Sequence, residues 1–233
     1  MQPVHRFLER LRFVYPLNFE SGDESFPYYC GGTCFAATFK ERLFILTAKH
    51  CLTGRNGDPC VVGPDYAIFP LRQPFTPVCE DTDSAWSDVM LFSTYDRKHW
   101  PTLGPFNTID LDNHIERQVW ADEFSFLVIL GYPTSLTKIE IEPLKILRAP
   151  SFHIGLYGGP TNDRNCHYFE VLHPITEDLD GLSGSPVLKI DLDANRAPVP
   201  TLLGVVTQAN KEFIRFVSVG VILRMLRKAT QKN

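Results

Sequence analysis

Three short segments carry residue types that could work together as a nucleophilic centre. His50 follows the apolar run Leu43-Phe44-Ile45-Leu46 within Thr47-Ala48-Lys49-His50-Cys51. Asp88 opens a second apolar run, Val89-Met90-Leu91-Phe92. Ser183 lies between glycines in Gly181-Leu182-Ser183-Gly184-Ser185-Pro186. A serine hydroxyl is a poor nucleophile at neutral pH. It needs a base within hydrogen-bond reach, and the base needs an orienting acceptor on its other ring nitrogen. The glycines permit unusual backbone torsions and close approach of a carbonyl. The backbone N–H groups of Gly181 and Ser183 could then face a developing oxyanion, where one donor stabilises the transition state by about 3 kcal/mol. Each residue alone is more often structural: a core histidine, a turn aspartate, a loop serine. The three motifs together, in the order His, Asp, Ser, reverse that weighting. The chemistry they imply is acyl transfer: Ser183 attacks, His50 moves the proton and Asp88 holds His50.

Such a centre needs rigid elements beneath it. Val4 to Val14 places Val4, Phe7, Leu8 and Leu11 at helical spacing and predicts a short N-terminal helix packed on the domain. Beyond it, runs rich in Val, Ile, Phe, Tyr and Thr alternate with Gly, Pro, Asp and Asn, which reads as short strands. In the first half these are Phe13 to Phe19, Thr33 to Thr38, Leu43 to Ala48, Tyr66 to Leu71 and Val89 to Ser93. In the second they are Phe124 to Leu130, Leu144 to Arg148, His167 to Leu172, Pro186 to Ile190, Leu202 to Thr207 and Phe213 to Val219. Val221 to Thr230 reads as a basic amphipathic helix. Asn56 to Pro64, Glu80 to Ser87 and Gly158 to Asn165 read as solvated turns, and Trp100 to Asp122 as a connection between two halves. Many short strands without intervening helices point to an all-β barrel or sandwich.

The bulk numbers fit. The chain has 233 residues, 44% of them hydrophobic, with 18 Pro and 15 Gly. That suits one large domain or two small ones sharing an interface, with ample core and many turns. A net charge of -4 gives no basic excess for nucleic acid or an anionic membrane surface. Met1 to Glu20 holds no signal-peptide core, because Arg6, Glu9, Arg10 and Arg12 interrupt it, so a cytoplasmic location is expected. The cysteines at 30, 34, 51, 60, 79 and 166 form no CxxC pair and are expected as free thiols in a reducing compartment. Cys30, Cys34, His50 and Cys51 could gather around zinc, but their spacing matches no closed zinc site, so no metal or cofactor is expected. The histidines at 5, 99, 114, 153, 167 and 173 belong to no motif.

The sequence resembles the trypsin/chymotrypsin superfamily of serine proteases, and within it the bacterial trypsin-like peptidases without secretion signals. Thr47-Ala48-Lys49-His50-Cys51 is similar to that family's TAAHC, Ser87-Asp88-Val89-Met90-Leu91 to its DIALL-type strand, and Gly181-Leu182-Ser183-Gly184-Ser185-Pro186 to its GDSGGP. Cys30-Gly31-Gly32-Thr33 resembles CGGS, and Gly131-Tyr132-Pro133 and Leu203-Gly204-Val205-Val206-Thr207 fit the family's second barrel. The resemblance covers roughly residues 13 to 225. It implies two six-stranded antiparallel β-barrels with the site in the cleft between them, followed by a C-terminal helix. The expected division is 1–12 as an N-terminal arm, 13–110 as the first barrel, and 111–233 as the second barrel with the helix. In secreted relatives a disulfide spans the first of these motifs, and Cys30–Cys51 is the matching pair.

Departures from the family carry their own implications. Leu182 stands where secreted members have an aspartate that receives a newly cleaved N-terminus. Activation by N-terminal insertion is therefore not expected. The oxyanion loop is either already formed or ordered by substrate or an activating partner. Counting back from Ser183, the resemblance puts Glu177 near the base of the primary specificity pocket. Glu177, Asp178 and Asp180 would favour Arg or Lys in a protein or peptide substrate, unless they are simply solvated loop charges. Thr207, Gln208 and Ala209 would line the opposite wall and pair with a substrate backbone as an added strand. The competing reading is a protease-fold interaction module that binds peptides without turnover.

Overall fold

The computed structural model describes residues 11–24, 27–62, 68–76, 84–96, 108–112, 125–140, 145–175, 179–192, 194, 198–211 and 213–231. The fold is all-β with one C-terminal helix. The first sheet comprises β1 (Val14–Glu20), β2 (Tyr28–Phe39), β3 (Arg42–Ala48), β4 (Pro59–Val62), β5 (Ile68–Pro70), β6 (Pro74–Phe75), β7 (Val89–Asp96) and β8 (Ile109–Asp110). Its order is β5-β4-β1-β2-β3-β7-β6, and β8 lies parallel to β2. The second half contains β9 (Phe126–Gly131), the separate hairpin β10 (Thr137–Glu140) and β11 (Lys145–Arg148), β12 (Ser151–Pro160), β13 (Cys166–Val171), β14 (Pro186–Leu192), β15 (Pro198–Ala209) and β16 (Ile214–Ser218). Six of these close into a barrel in the order β12-β13-β16-β15-β14-β9. α1 (Val219–Gln231) follows directly.

The second barrel thus closes with the expected six strands. The first half is an open, eight-stranded half-barrel. Its outermost strands β5 and β6 are only three and two residues long, and no ladder joins them among the described residues. Alternation of buried and exposed side chains is weak on β2, β3 and β15, because both faces are covered. One core fills the first sheet with Leu17, Phe19, Ile45, Val61 and Phe92. A second fills the closed barrel with Leu127, Phe169, Leu182, Val206 and Phe216. The third lies between the sheets and under α1, joining Phe35, Phe39 and Leu46 to Leu188, Val205, Ile222 and Leu226.

Several local readings change. Leu11 to Phe13 form a turn and Val14 begins β1, so the expected N-terminal helix does not reach Val14; its residues before Leu11 lie outside the described ones. Leu11 and Phe13 are buried in the core between the sheets. The Asn56 to Pro64 turn contains β4, with Cys60 and Val61 buried. The glycine-rich stretch beginning at Gly155 disguised β12. A Cβ at Gly155 would overlap the Glu170 carbonyl oxygen and lie 2.5 Å from the Phe169 ring, so close strand packing is what demands glycine there. Ile109 is buried in β8, inside the stretch read as a connection.

Candidate active site

β3 and β7 pair side by side, with Ala48 opposite Val89. That ladder brings the end of one apolar strand against the start of the other. His50 sits in the 3-10 turn Lys49–Leu52 just past β3, and Asp88 immediately precedes β7. His50 Nδ1 lies 2.6 Å from Asp88 Oδ2. The His50 backbone N–H donates to Asp88 Oδ1 at 2.9 Å, and Lys49 N–H donates to the Asp88 carbonyl at 3.2 Å. Both carboxylate oxygens are therefore engaged by one residue. The carboxylate fixes the ring plane and favours the tautomer with the proton on Nδ1, leaving Nε2 free to accept. The His50 ring is exposed while Asp88 is half-buried, so the pair opens to solvent on the imidazole side.

The loop 181–185 comes from the other barrel and is pinned group by group. Leu182 N–H donates to Leu179 O at 3.0 Å, Gly184 N–H to Val206 O at 2.8 Å, and Ser185 N–H to Leu182 O at 3.1 Å. The two N–H groups of this loop without a hydrogen bond among the described residues are those of Gly181 and Ser183. Buried backbone donors rarely go unpaired, so two open ones in a loop this well fixed mark a place for an acceptor. Their directions are set indirectly. The peptide unit is planar, so an N–H points opposite to the carbonyl preceding it. The Asp180 carbonyl accepts from Thr134 N–H at 2.7 Å and Thr134 Oγ1 at 3.2 Å, which aims Gly181 N–H. The Leu182 carbonyl accepts from Ser185 N–H, which aims Ser183 N–H.

Gly181 has φ +95° and Gly184 φ +88°, a region that favours glycine. A Cβ at Gly181 would stand 2.6 Å from the Tyr132 carbonyl oxygen, and one at Gly184 would overlap the carbonyl oxygen of Thr33. Thr33 is the residue that sequence reasoning missed. Fully buried on β2, it donates through N–H to the Ser183 carbonyl at 3.0 Å and through Oγ1 to the Gly181 carbonyl at 2.7 Å. Its Oγ1 also accepts from Tyr132 N–H at 2.8 Å, and its carbonyl accepts from Thr47 Oγ1 at 2.7 Å. One threonine thus fastens the Ser183 loop to the sheet that carries His50. Its position in Cys30-Gly31-Gly32-Thr33 was the one sequence signal available.

Cys51, next to His50, completes the junction: its Sγ lies 3.5 Å from the Ser183 carbonyl oxygen. Burial pushes the Cys51 thiol up to about 12, so it remains an S–H able to donate. Cys30 and Cys51 are thiols, so the Cys30–Cys51 bridge implied by the resemblance is not formed. Ser183 Oγ makes no hydrogen bond to another described residue; catalytic contacts are often long in free enzymes and tighten with substrate.

Leu182 is fully buried and packs in the closed-barrel core with Leu127, Ile129 and Phe216. Glu177 and Asp178 fall outside the described residues, while Asp180 is exposed. Thr207 is buried, Gln208 exposed and Ala209 half-buried at the end of β15. β16 pairs with Gln208 and Ala209 on one side, while the β14 ladder stops at Val205. Among the described residues, no strand pairs with 207–209 on the other side.

Two β-sheets, one closed as a six-stranded barrel, with a C-terminal helix make a chymotrypsin-like fold. A crystal structure of a thermostable serine protease, AL20, from an extremophilic microorganism is similar over 95% of this chain and 98% of that one, with a TM-score of 0.57 at 9% identity. That likeness shows the fold. No family model matches the sequence, and no curated protein matches it. No helix among the described residues is long and apolar enough to cross a membrane.

Proposed function

We propose that the chain is a serine endopeptidase. Ser183 attacks the scissile carbonyl, His50 Nε2 takes the hydroxyl proton and returns it to the leaving amine, and water then hydrolyses the acyl-enzyme. Asp88 holds the imidazole and stabilises its charged form. Gly181 and Ser183 N–H groups receive the oxyanion. The single observation that carries this reading is the pairing of His50 Nδ1 with Asp88 Oδ2 at 2.6 Å, on a sheet bolted through Thr33 to the loop whose open amides are those of Gly181 and Ser183. A module that only bound peptides would need neither the fixed tautomer nor the open amides. The substrate backbone is proposed to lie along the open side of Thr207, Gln208 and Ala209. An Arg or Lys preference is proposed from Glu177 and Asp180.

A fluorophosphonate probe tests the reaction class. Covalent labelling of the wild type at Ser183, abolished in Ser183→Ala, is the expected result. If the wild type takes no label with or without candidate partners, the interaction-module reading stands instead. Substrate profiling tests the pocket separately, and cleavage after acidic or bulky apolar residues would overturn the Glu177 assignment alone.

A further inference from the structure

A concave site lined by none of His50, Asp88 and Ser183 lies between α1 and the turn that precedes Asp88. The cavity is about 240 Å³. Its floor is apolar, formed by Phe75 of β6, Trp86 of the 3-10 turn Ala85–Ser87, and Val221 and Met225 of α1. Its rim carries Arg224, Arg227 and Lys228. No acidic side chain lines it among the described residues. A basic residue in the last turn of a helix is ordinarily explained by the helix dipole, which covers Lys228. It does not cover Arg224, in the middle of α1, nor three cations lining one mostly apolar cavity in a chain of net charge -4.

We infer that this cavity is a regulatory site for a small anionic amphiphile, an apolar body with one carboxylate. The size follows from the volume: at a water's share of about 30 Å³, the cavity holds roughly eight non-hydrogen atoms, the carbons of an eight-carbon acid whose carboxylate oxygens lie at the cationic edge. The tail replaces water over Phe75, Trp86 and Met225, and the anion meets the guanidinium and ammonium rim.

The site is linked to the proposed catalytic carboxylate by a chain of contacts. Arg224 Nη2 donates to Asn165 Oδ1 at 2.8 Å, and Asn165 N–H donates to Asp163 Oδ1 at 2.9 Å. Ser84 Oγ donates to Asp163 Oδ2 at 3.0 Å. Ser84 opens the turn that carries Trp86 and ends at Asp88, whose N–H donates to the Ala85 carbonyl at 3.4 Å. A ligand seated on Trp86 and Arg224 fastens both ends of this chain, and so restrains the residue that orients His50. The regulatory part rests on the peptidase reading; the binding part does not.

Binding is therefore measured without activity, by titrating octanoate and octanol against the intrinsic fluorescence of the full chain. The expected result is a saturable change with octanoate that is lost in Trp86→Phe. Octanol should bind at least tenfold more weakly. Arg227→Gln/Lys228→Gln, at exposed positions that leave the fold intact, should weaken octanoate about tenfold. Arg224→Gln should weaken it further. Equal binding of octanol and octanoate, or undiminished binding in the charge variants, would overturn the anion site. Binding seen only after Glu80, Asp81 and Asp83 are neutralised would make the occupant the chain's own acidic segment and equally refute the proposal. The rate of Ser183 labelling by fluorophosphonate, with and without saturating octanoate, reads the coupling. A rise of about fivefold or more is expected for an ordinary allosteric coupling. Octanoate binding with an unchanged labelling rate would overturn regulation, whereas no labelling at all would refute the peptidase reading and not the site.

Discussion

Replacing Thr33 by valine removes one hydroxyl while keeping the shape of the side chain, so no cavity term enters. Two groups lose their partner: the Gly181 carbonyl, which accepts from Oγ1 at 2.7 Å, and the Tyr132 N–H, which donates to it at 2.8 Å. A buried polar group left unsatisfied costs about 1–3 kcal/mol. Both bonds are part-buried, so the sum is expected near 2–3 kcal/mol. That is a large fraction of an ordinary folding stability of about 5–15 kcal/mol, and it is read as a lower urea midpoint at unchanged slope. The effect on chemistry follows from the same bonds. Freeing the Gly181 carbonyl loosens the torsion that follows one oxyanion donor without deleting the donor. The acylation rate by a small activated ester should therefore fall about 10- to 100-fold, below the roughly 10²–10³-fold loss from removing a donor outright. KM for that ester should hardly change. Thr33→Ser keeps the hydroxyl and should recover most of the rate while losing only methyl packing. If Thr33→Val acylates within twofold of wild type, or if Thr33→Ser is no better than Thr33→Val, the positioning argument is wrong.

Asp88→Asn should lower kcat by about four orders of magnitude. The amide keeps one acceptor for the His50 N–H and turns its NH₂ toward Nδ1, which forces the proton onto Nε2; a steady-state assay showing less than a tenfold loss would refute the tautomer assignment. Leu182→Ala should destabilise the chain by about 2–5 kcal/mol by opening a cavity in the closed barrel, as read by chemical denaturation. Burial holds His167 below the usual imidazole range, with Tyr157 Oη 2.8 Å from its Nδ1. The unfolded chain then binds a proton that the folded chain does not, so stability falls as pH drops from 6.5 toward the depressed folded value. A single proton sets a ceiling on that slope of about 1.4 kcal/mol per pH unit. His167→Gln should flatten that window, and an unchanged pH profile of the urea midpoint would show that another group is responsible.

The parts of the fold legible in the sequence were those written as long apolar runs. β3, β7 and β15 carry long buried apolar runs, so their existence was visible, but β15 begins at Pro198, four residues before the expected Leu202, and β7 runs past Ser93 to Asp96. β4 and β12 were not visible. β4 is four residues, Pro59–Val62, between Asp58 and Gly63-Pro64 in sequence, where turn chemistry outweighs two buried side chains. β12 contains Gly155, Gly158 and Gly159; the first two serve packing against Phe169 and Glu170 in the next strand, a tertiary reason that no local pattern carries, while Gly159 takes a φ of +88°. The site divides in the same way. His50, Asp88 and Ser183 are set by motifs at strand ends, so their elements could be named in advance. Thr33 and Thr134 act through backbone carbonyls more than forty residues away. A threonine in a strand looks the same whether its hydroxyl bonds a neighbouring turn or holds another barrel's loop.

Leu182 shows what an apolar residue does at a position where the secreted proteases this sequence resembles carry an aspartate. A buried aspartate at this position would need a cation to meet it, because an unpaired charge in an apolar core costs several kcal/mol. Such a loop is ordered only when the partner charge arrives. A fully buried leucine contributes about 1.5–3 kcal/mol by leaving water and needs no partner of any kind. Its neighbours Leu127, Ile129 and Phe216 are core residues of the closed barrel, present as soon as that barrel folds. Thr33 and Thr134 then fix the flanking carbonyls from elements that are equally permanent. The amides of Gly181 and Ser183 are therefore aimed by the fold itself, and an N-terminal ammonium would have nothing to add. Control, if the chain is controlled, must act on the other half of the machinery, where Asp88 is held by a turn rather than a core. That turn is the one whose Trp86 lines the basic cavity, which makes the α1 face the place where a signal can reach His50 without disturbing the Ser183 loop.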